Sequence, residues 1–464
     1  MKKINLLLFL VLLLSTCKSD EEELTPTTGN NSGGNPSPDF EVSTIIPNGD
    51  EAYLTENSDY IFDQEKIHTF ELNIPLSDYE KINGDPAAEE YVEGNLIFEG
   101  DTISPVGIRY KGSIGAYVGC LSGGDWANPS GHKTCTKLSM KIKINWEGRE
   151  ERFYGLKKLQ FHSMNNDKSQ MRERLGYWFF REMNVPAPRC VHARLKINGV
   201  FIGVFALVEQ IDGRFSRYNF EDGNGNLYKE IWPLHSNGQP FPESEYLDHL
   251  KTNEDEDPSA SLIRTFAQAI AEAEEEERKS IVEEWMDMGE VISYAAVDRT
   301  IRNDDGAFHW YCNGSTCSPH NFYWYEEPSA ETLHLIPWDL DHAFENIISN
   351  VNPVTPVAND WGETSSDCEP FSYGSFGLKQ RSAACDKLIG TWASYTDEYN
   401  EKLTIFKNGP LSIGNANVML DKWEALIRGS LEEAENAHGD AISISSWETE
   451  MERLKEKLEF ARNN

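Results

Sequence analysis

The chain has 464 residues, of which 39% are hydrophobic, 26% charged and 11% aromatic. That is apolar material for one large domain or two ordinary ones. A formal net charge of −35 counts against nucleic-acid binding, which needs Lys and Arg on phosphates, and against coating an anionic membrane. An anionic ligand would need a metal or a local basic patch to offset that field.

Residues 1–16 read as a lipoprotein signal peptide: Lys2 and Lys3, an apolar run from Leu6 to Leu14, then Ser15 and Thr16 before Cys17. The run is too short to span a bilayer. Leu-Ser-Thr-Cys resembles a bacterial lipobox, with Cys17 lipidated as the mature N-terminus; an ordinary signal peptide that ends near a cysteine is the alternative. The acidic stretch Asp20 to Glu23 resembles the export tag of surface lipoproteins in some Gram-negative bacteria. Residues 17–45 make a flexible acidic and polar tether. The expected location is extracytoplasmic, at the outer-membrane surface, with the lipid anchor as the only membrane contact. In an oxidising compartment the seven later cysteines predict three local disulfides, Cys120–Cys135, Cys312–Cys317 and Cys368–Cys385, with Cys190 free and buried.

The remaining residues, 46–464, read as one domain. Its first part, 46–230, is β-rich with one long helix, and its second, 231–464, is mainly helical. Alternation at Ile67 to Ile74, Leu96 to Phe98 and Val106 to Arg109 predicts short strands. Lys137 to Ile144 alternates strictly, with Leu138, Met140, Ile142 and Ile144 on one face and lysines on the other. A helix is predicted from about Lys168 to Met183, stopped by Pro186. Strands Val191–Ile197 and Phe201–Val208 flank Asn198-Gly199, a type I′ hairpin signal. Residues 258–302 read as helix, 303–341 as a loop and a hairpin, and about 395–462 as two or three helices. The class is α+β.

Chemistry concentrates in residues 298–342. Asn303-Asp304-Asp305-Gly306 forms an acidic loop, Asn321 opens a strand, and Trp338-Asp339-Leu-Asp341 follows another. Phosphoryl transfer needs an Asp to orient the acceptor hydroxyl, and an Asn and an Asp to hold Mg²⁺ on nucleotide phosphates. Paired carboxylates equally suit glycoside hydrolysis or a Ca²⁺ site, although the regular spacing of an EF-hand loop is absent. Arg109-Tyr-Lys111-Gly112-Ser113 ends a strand and can cradle phosphates through backbone N–H groups, beside the lysine face of Lys137 and Lys141. A structural turn is the plainer reading of the same residues. The scattered histidines, His162 among them, read as structural hydrogen-bonders.

Together these residues resemble the CotH kinase family, the spore-coat protein H-like proteins, over roughly residues 60–460. The markers are Gly107-Ile-Arg109-Tyr-Lys-Gly112-Ser113, Lys137-Leu-Ser-Met-Lys141, Gly155-Leu-Lys-Lys-Leu-Gln, Asp167-Lys-Ser-Gln-Met-Arg172-Glu-Arg-Leu, Asn184-Val-Pro-Ala-Pro188, Ile197-Asn-Gly-Val-Phe-Ile-Gly203 running on to Glu209, Leu227-Tyr-Lys229, Asn303-Asp-Asp-Gly306, His320-Asn321 and Ile336-Pro-Trp-Asp339-Leu-Asp341. The resemblance implies an atypical protein-kinase-like fold, ATP with Mg²⁺ or Mn²⁺, and phosphorylation of protein Ser or Thr. Asp305 matches the catalytic-loop Asp, with Asp304 the runner-up. Asn321 matches a metal-binding or loop-organising residue, Asp339 the metal-binding Asp, and Asp341 its assistant. Arg109, Lys111 and Ser113 form the cradle, Lys137 or Lys141 steadies the phosphates, and Lys229 is a third cationic candidate. Glu209 falls near the nucleotide hinge or anchors the fold. The chain departs from typical kinases in having no Gly-x-Gly-x-x-Gly and no His-Arg-Asp, and it carries cysteine-containing inserts at about 114–135 and 311–319 that flank the site. The alternative reading is a non-catalytic kinase-fold surface lipoprotein that binds a surface partner or glycan. A monomer is expected, and no substrate is indicated.

Overall fold

The computed structural model describes residues 52–112, 114–125, 128–254, 258–314, 316–345, 347, 368–373 and 378–464. The signal peptide, the tether, Cys17 and Ser113 lie outside the described residues.

Alternating apolar residues build a closed seven-stranded barrel. Its strands are β1 (His68–Asn73), β2 (Val92–Phe98), β3 (Asp101–Tyr110), β4 (Met140–Lys143), β5 (Lys158–His162), β6 (Cys190–Ile197) and β7 (Val200–Val208), in the order β1-β2-β3-β4-β5-β7-β6. All neighbours are antiparallel except β1 and β6, whose parallel pairing closes the barrel and leaves no free edge. Phe70, Leu72, Phe98, Ile108, Met140, Ile142, Phe161, Leu195 and Phe205 fill the interior. The period of two then sends Arg109, Lys141 and Gln160 outward in register across three strands, with His162 opposite Ala206. Asn198 and Gly199 both have positive φ, at 50° and 81°, as the type I′ turn requires.

Between β1 and β2 lies α1 (Leu76–Gly84), and between β5 and β6 lies α2 (Arg172–Glu182). The Asp167 carboxylate accepts the Arg172 N–H at 2.8 Å and so starts α2. Leu175, Phe179 and Phe180 bury its inner side in a second core. That core also takes the outward residues Val204, Ala206 and Val208 of the barrel, so α2 and β7 are walls shared by the barrel and the rest of the chain.

The second part contains more strand than its sequence predicts. After α3 (Gly213–Asn219) come β8 (Leu227–Lys229), α4 (Glu243–Asp248), α5 (Ser261–Glu272), α6 (Glu275–Trp285) and α7 (Met288–Ile301). Then follow β9 (Trp310–Asn313), β10 (Thr316–Ser318), β11 (Phe322–Glu327), β12 (Thr332–Pro337), β13 (Phe371–Tyr373) and β14 (Leu378–Arg381), and last α8 (Lys387–Trp392), α9 (Thr396–Asn408), α10 (Val418–Ala437) and α11 (Ile444–Asn463). Two small sheets, β12-β11-β8 and β10-β9-β14-β13, replace the single hairpin expected over 303–341. The first of them borrows β8 from before residue 230. Every residue of α7 from Val291 to Ile301 is buried, which makes it the axis of this part. Among the described residues no helix is long and apolar enough to cross a membrane.

The three expected disulfides are present, and Cys190 is free and buried on β6. Burial pushes its thiol well above the usual value, which suppresses the reactive thiolate. With Cys17 changed to Ser, the unreduced native chain is expected to show no thiol that reacts with Ellman's reagent at pH 8, and one after denaturation. Two or more thiols in denaturant would contradict the pairing.

Candidate active site

The site grows from the hairpin β11–β12. Phe322 pairs with Pro337, so Asn321 before one strand and Asp339 after the other emerge at the same end, joined by the Trp338 N–H on the Asn321 carbonyl at 3.1 Å. Asp339 is left-handed, at φ 55° and ψ 67°, and its N–H is held by the Tyr177 hydroxyl of α2 at 2.9 Å. Leu340 packs where Gly176 has no side chain: a Cβ there would lie 2.8 Å from Leu340 Cδ1. Glycine inside a helix costs about 1 kcal/mol against alanine. Here it lets the Asp339 turn lie flat on α2.

The first turn of α2 then brings Glu173 to Asp339. His162 stands beside them, and one ligand atom from each of the three residues lies within 4.8 Å of the others. Glu173 Oε1 is 2.8 Å from His162 Nδ1, and His162 Nε2 is 2.7 Å from Lys111 Nζ. The Lys111 ammonium also donates to Gln160 Oε1 at 2.9 Å and lies 5.4 Å from the centre of the Trp338 ring. Burial, reinforced by the Lys111 charge, drives the His162 pKa down to about 3, so the imidazole is neutral near pH 7. Burial, then the Asp339 charge, pushes Glu173 well above the usual carboxylate range.

The acidic loop supplies the other wall. It follows α7, and its turn needs Gly306, since a Cβ there would meet Asn303 Nδ2 at 2.2 Å. The two aspartates of the loop part company. Asp304 is buried, 3.8 Å from both Arg302 Nε and His309 Nε2, and its carbonyl accepts from the Tyr311 hydroxyl of the disulfide-closed hairpin β9–β10. Asp305 is half-buried, and the Asn321 amide donates to its carboxylate at 2.8 Å and to its carbonyl at 3.0 Å. Burial raises its pKa to about 6; His320 and His342 oppose the rise, and Asp339 and Asp341 add to it. Asp341 rises to about 8, by burial and then by Asp339. Arg172 donates to the Asp341 carbonyl at 3.0 Å and pairs with Glu345 at 3.3 Å, so it ties α2 to this segment.

Asp305, Asn321, Asp339, Asp341 and Lys111 are therefore gathered in one cluster, and the other residues read from the sequence are placed as follows. Arg109 is spent on Glu89, whose carboxylate also accepts the Gly112 N–H at 2.7 Å, so the cradle holds a carboxylate of the chain itself. Lys137 donates to Gln170 at 3.1 Å and to the Val204 carbonyl at 2.9 Å; burial lowers its pKa to about 8, and the acids that face it are Asp167 and Asp440. Lys141 is half-buried on the outer barrel face between Arg109 and Gln160. Glu209 is buried and accepts from the backbone and guanidinium of Arg189, which is the contact of an anchor. Lys229 lies opposite Tyr323 at the Asn321 end of its sheet, 3.8 Å from Glu230. The sequence reads His162 as a structural hydrogen-bonder, which its two bonds bear out, and gives Gln160 and Glu173 no role of their own beyond the family markers. Only the closure of the barrel and the docking of α2 reveal them, since an isolated His and an acid in a first helical turn are ordinary in themselves.

Residues 108–463 match the family described as CotH kinase protein, and the chain belongs to that family. No curated protein shows a significant match to the chain.

The different settings of the two loop aspartates are testable. Asp304→Asn takes this acid from the buried Arg302 guanidinium and is expected to lower stability by about 3 kcal/mol at pH 7 in urea unfolding. Asp305→Asn is expected to leave stability unchanged or raise it. Between the ordinary aspartate value and about 6, the folded chain keeps on Asp305 a proton that the unfolded chain has released, so Asp305 makes stability fall as pH rises through that window. Asp305→Asn should flatten this slope. Equal losses for the two variants would contradict the assignment.

Proposed function

We propose that the chain is a metal-dependent protein Ser/Thr kinase of CotH type, with an atypical kinase-like fold, carried as a lipoprotein on the extracytoplasmic side of the outer membrane. The observation that carries the reading is the gathering of Lys111, Asp305, Asn321 and Asp339 in one cluster built from separate elements. Asp305 is placed to accept a hydroxyl proton, and a pKa of about 6 suits a base that works near neutrality. Asn321 supports it, since the amide aims the Asp305 carboxylate and so performs the loop-organising role. Lys111 supplies the cation for the nucleotide phosphates in place of Lys137.

The residues present fit a hard divalent cation. Asp339 and Asp341 offer oxygen donors, the donors that Mg²⁺ and Mn²⁺ prefer, and a bound cation would offset the Asp339 charge that acts on Asp341. When bound, the ion would neutralise charge on the transferred phosphoryl group. The His162 nitrogens face Glu173 and Lys111 instead.

The location rests on Cys17 and on three disulfides, which suit an oxidising compartment. A second reading, a binding module on the same scaffold, is favoured by Glu89, which holds the Gly112 N–H and Arg109 where a phosphate cradle was expected.

Calorimetric titration of ATP, with and without Mg²⁺ or Mn²⁺, separates the two readings. The kinase reading expects metal-dependent binding that Asp339→Ala abolishes. It also expects Asp305→Ala to retain binding while phosphoryl transfer to a protein substrate drops by a factor of at least about 100. No heat at any metal concentration from a folded sample would leave the binding module.

A further inference from the structure

We propose that His162 is a positioning residue that carries the grip of Glu173 on α2 across to Lys111, so that the phosphate-contacting lysine is set by a Lys–His–Glu relay. The phosphate role of Lys111 rests on the kinase reading above. The relay itself rests on geometry.

Protein kinases commonly hold this lysine by a direct ion pair with a helix glutamate. Here an imidazole stands between the two. Lys111 Nζ is 2.7 Å from His162 Nε2, and His162 Nδ1 is 2.8 Å and 3.0 Å from the two oxygens of Glu173. An ammonium can only donate, so Nε2 accepts. A neutral imidazole then carries its proton on Nδ1 and donates it to Glu173. The partners thus fix the tautomer, and the direction of both hydrogen bonds runs from Lys111 to Glu173. His162 and Glu173 are 7% and 3% exposed, so water does not substitute for either bond. His162, Glu173 and Asp339 also have the spacing of a metal site. Both imidazole nitrogens already face protein partners, however, and the cation beside them is the ammonium of Lys111. The two bonds make the position of Lys111, at the end of a barrel strand, depend on how α2 docks.

The test uses the full chain with ¹⁵N-labelled histidine and the variants His162→Ala, His162→Gln and Lys111→Met. Without nucleotide, the His162 ring is expected as the Nδ1–H tautomer, and Lys111→Met is expected to shift its Nε2 resonance. A ring found as the Nε2–H tautomer overturns the relay. For ATP with Mg²⁺, His162→Ala is expected to weaken binding about 10- to 100-fold, the size of a lost charge-assisted hydrogen bond. His162→Gln should recover most of it, because its amide can accept from Lys111 and donate to Glu173. A purely structural role would not give this rescue. Wild-type binding that His162→Ala leaves unchanged overturns the relay and spares the kinase reading. Absence of nucleotide binding by the wild type overturns the kinase reading and the phosphate role of Lys111, and the tautomer of His162 then decides the relay by itself.

Discussion

The site depends on how closely one helix and one turn approach. Along α2, residues 173, 176 and 177 share a face, being three and four positions apart. Glu173 presents a carboxylate, Gly176 a gap and Tyr177 a hydroxyl. Leu340 enters the gap, Tyr177 takes the Asp339 N–H, and Glu173 comes within ligand distance of Asp339. A side chain at 176 would lift the turn and break all three contacts together. Because α2 also packs on the outside of the barrel, the same contact sets Asp339 against Lys111 and His162. Cooperation between the barrel and the second core therefore passes through one helix face.

Charge explains why the site needs such fixing. The chain is strongly acidic, and the site gathers Glu173, Asp305, Asp339 and Asp341 near Lys111 and Arg172. Burial and like charge push Glu173, Asp305 and Asp341 upward, which means that the fold holds them close against their repulsion. Arg109, on the same outer barrel face, shows the opposite arrangement: Glu89 satisfies its charge within the chain. Asp341 thus keeps much of its proton near pH 7, and a cation bound beside it would favour the release of that proton.

Much of this was legible in the sequence, and the misreadings share a cause. The alternation of Leu138, Met140, Ile142 and Ile144 placed those residues correctly in the barrel, as did the Asn198-Gly199 turn and the stop at Pro186. Alternation also sent Lys137 outward, which on an open sheet means solvent. In a closed barrel sheathed by helices, outward can still mean covered: Thr136 bonds Asp440, between α10 and α11, and the Lys137 ammonium is held by Gln170 and Val204. Asp304 and Asp305 are neighbours with the same chemistry, and only the packing of His309 and Arg302 against one and of Asn321 against the other tells them apart. His162 was hidden for a related reason. Its role comes from β3 and α2, which a reading along the chain treats separately. The short strands β13 and β14 carry no pattern long enough to read.

Left-handed backbone occurs at many turns of the described residues, and four of those positions frame this site. Arg302, Asn321, Asp339 and Phe344 have φ of 51°, 56°, 55° and 67°. Asparagine tolerates this region, and it fills other such turns here at Asn184, Asn198 and Asn253. Arginine and phenylalanine do not, and each such residue costs about 1–3 kcal/mol. The cost is met by main-chain bonds from packed elements: Arg302 N–H to the Asp298 and Arg299 carbonyls, Trp338 N–H to Asn321, Asp339 N–H to Tyr177, and Phe344 N–H to the Ile301 carbonyl at 2.8 Å. These bonds link the end of α7, the start of β11 and the turn after β12 into one frame. Asp305 and Asp339 stand on that frame, held by the backbone on both sides of each. Side-chain pairing alone would let mutually repelling carboxylates drift apart. A strained, hydrogen-bonded main chain keeps them converging.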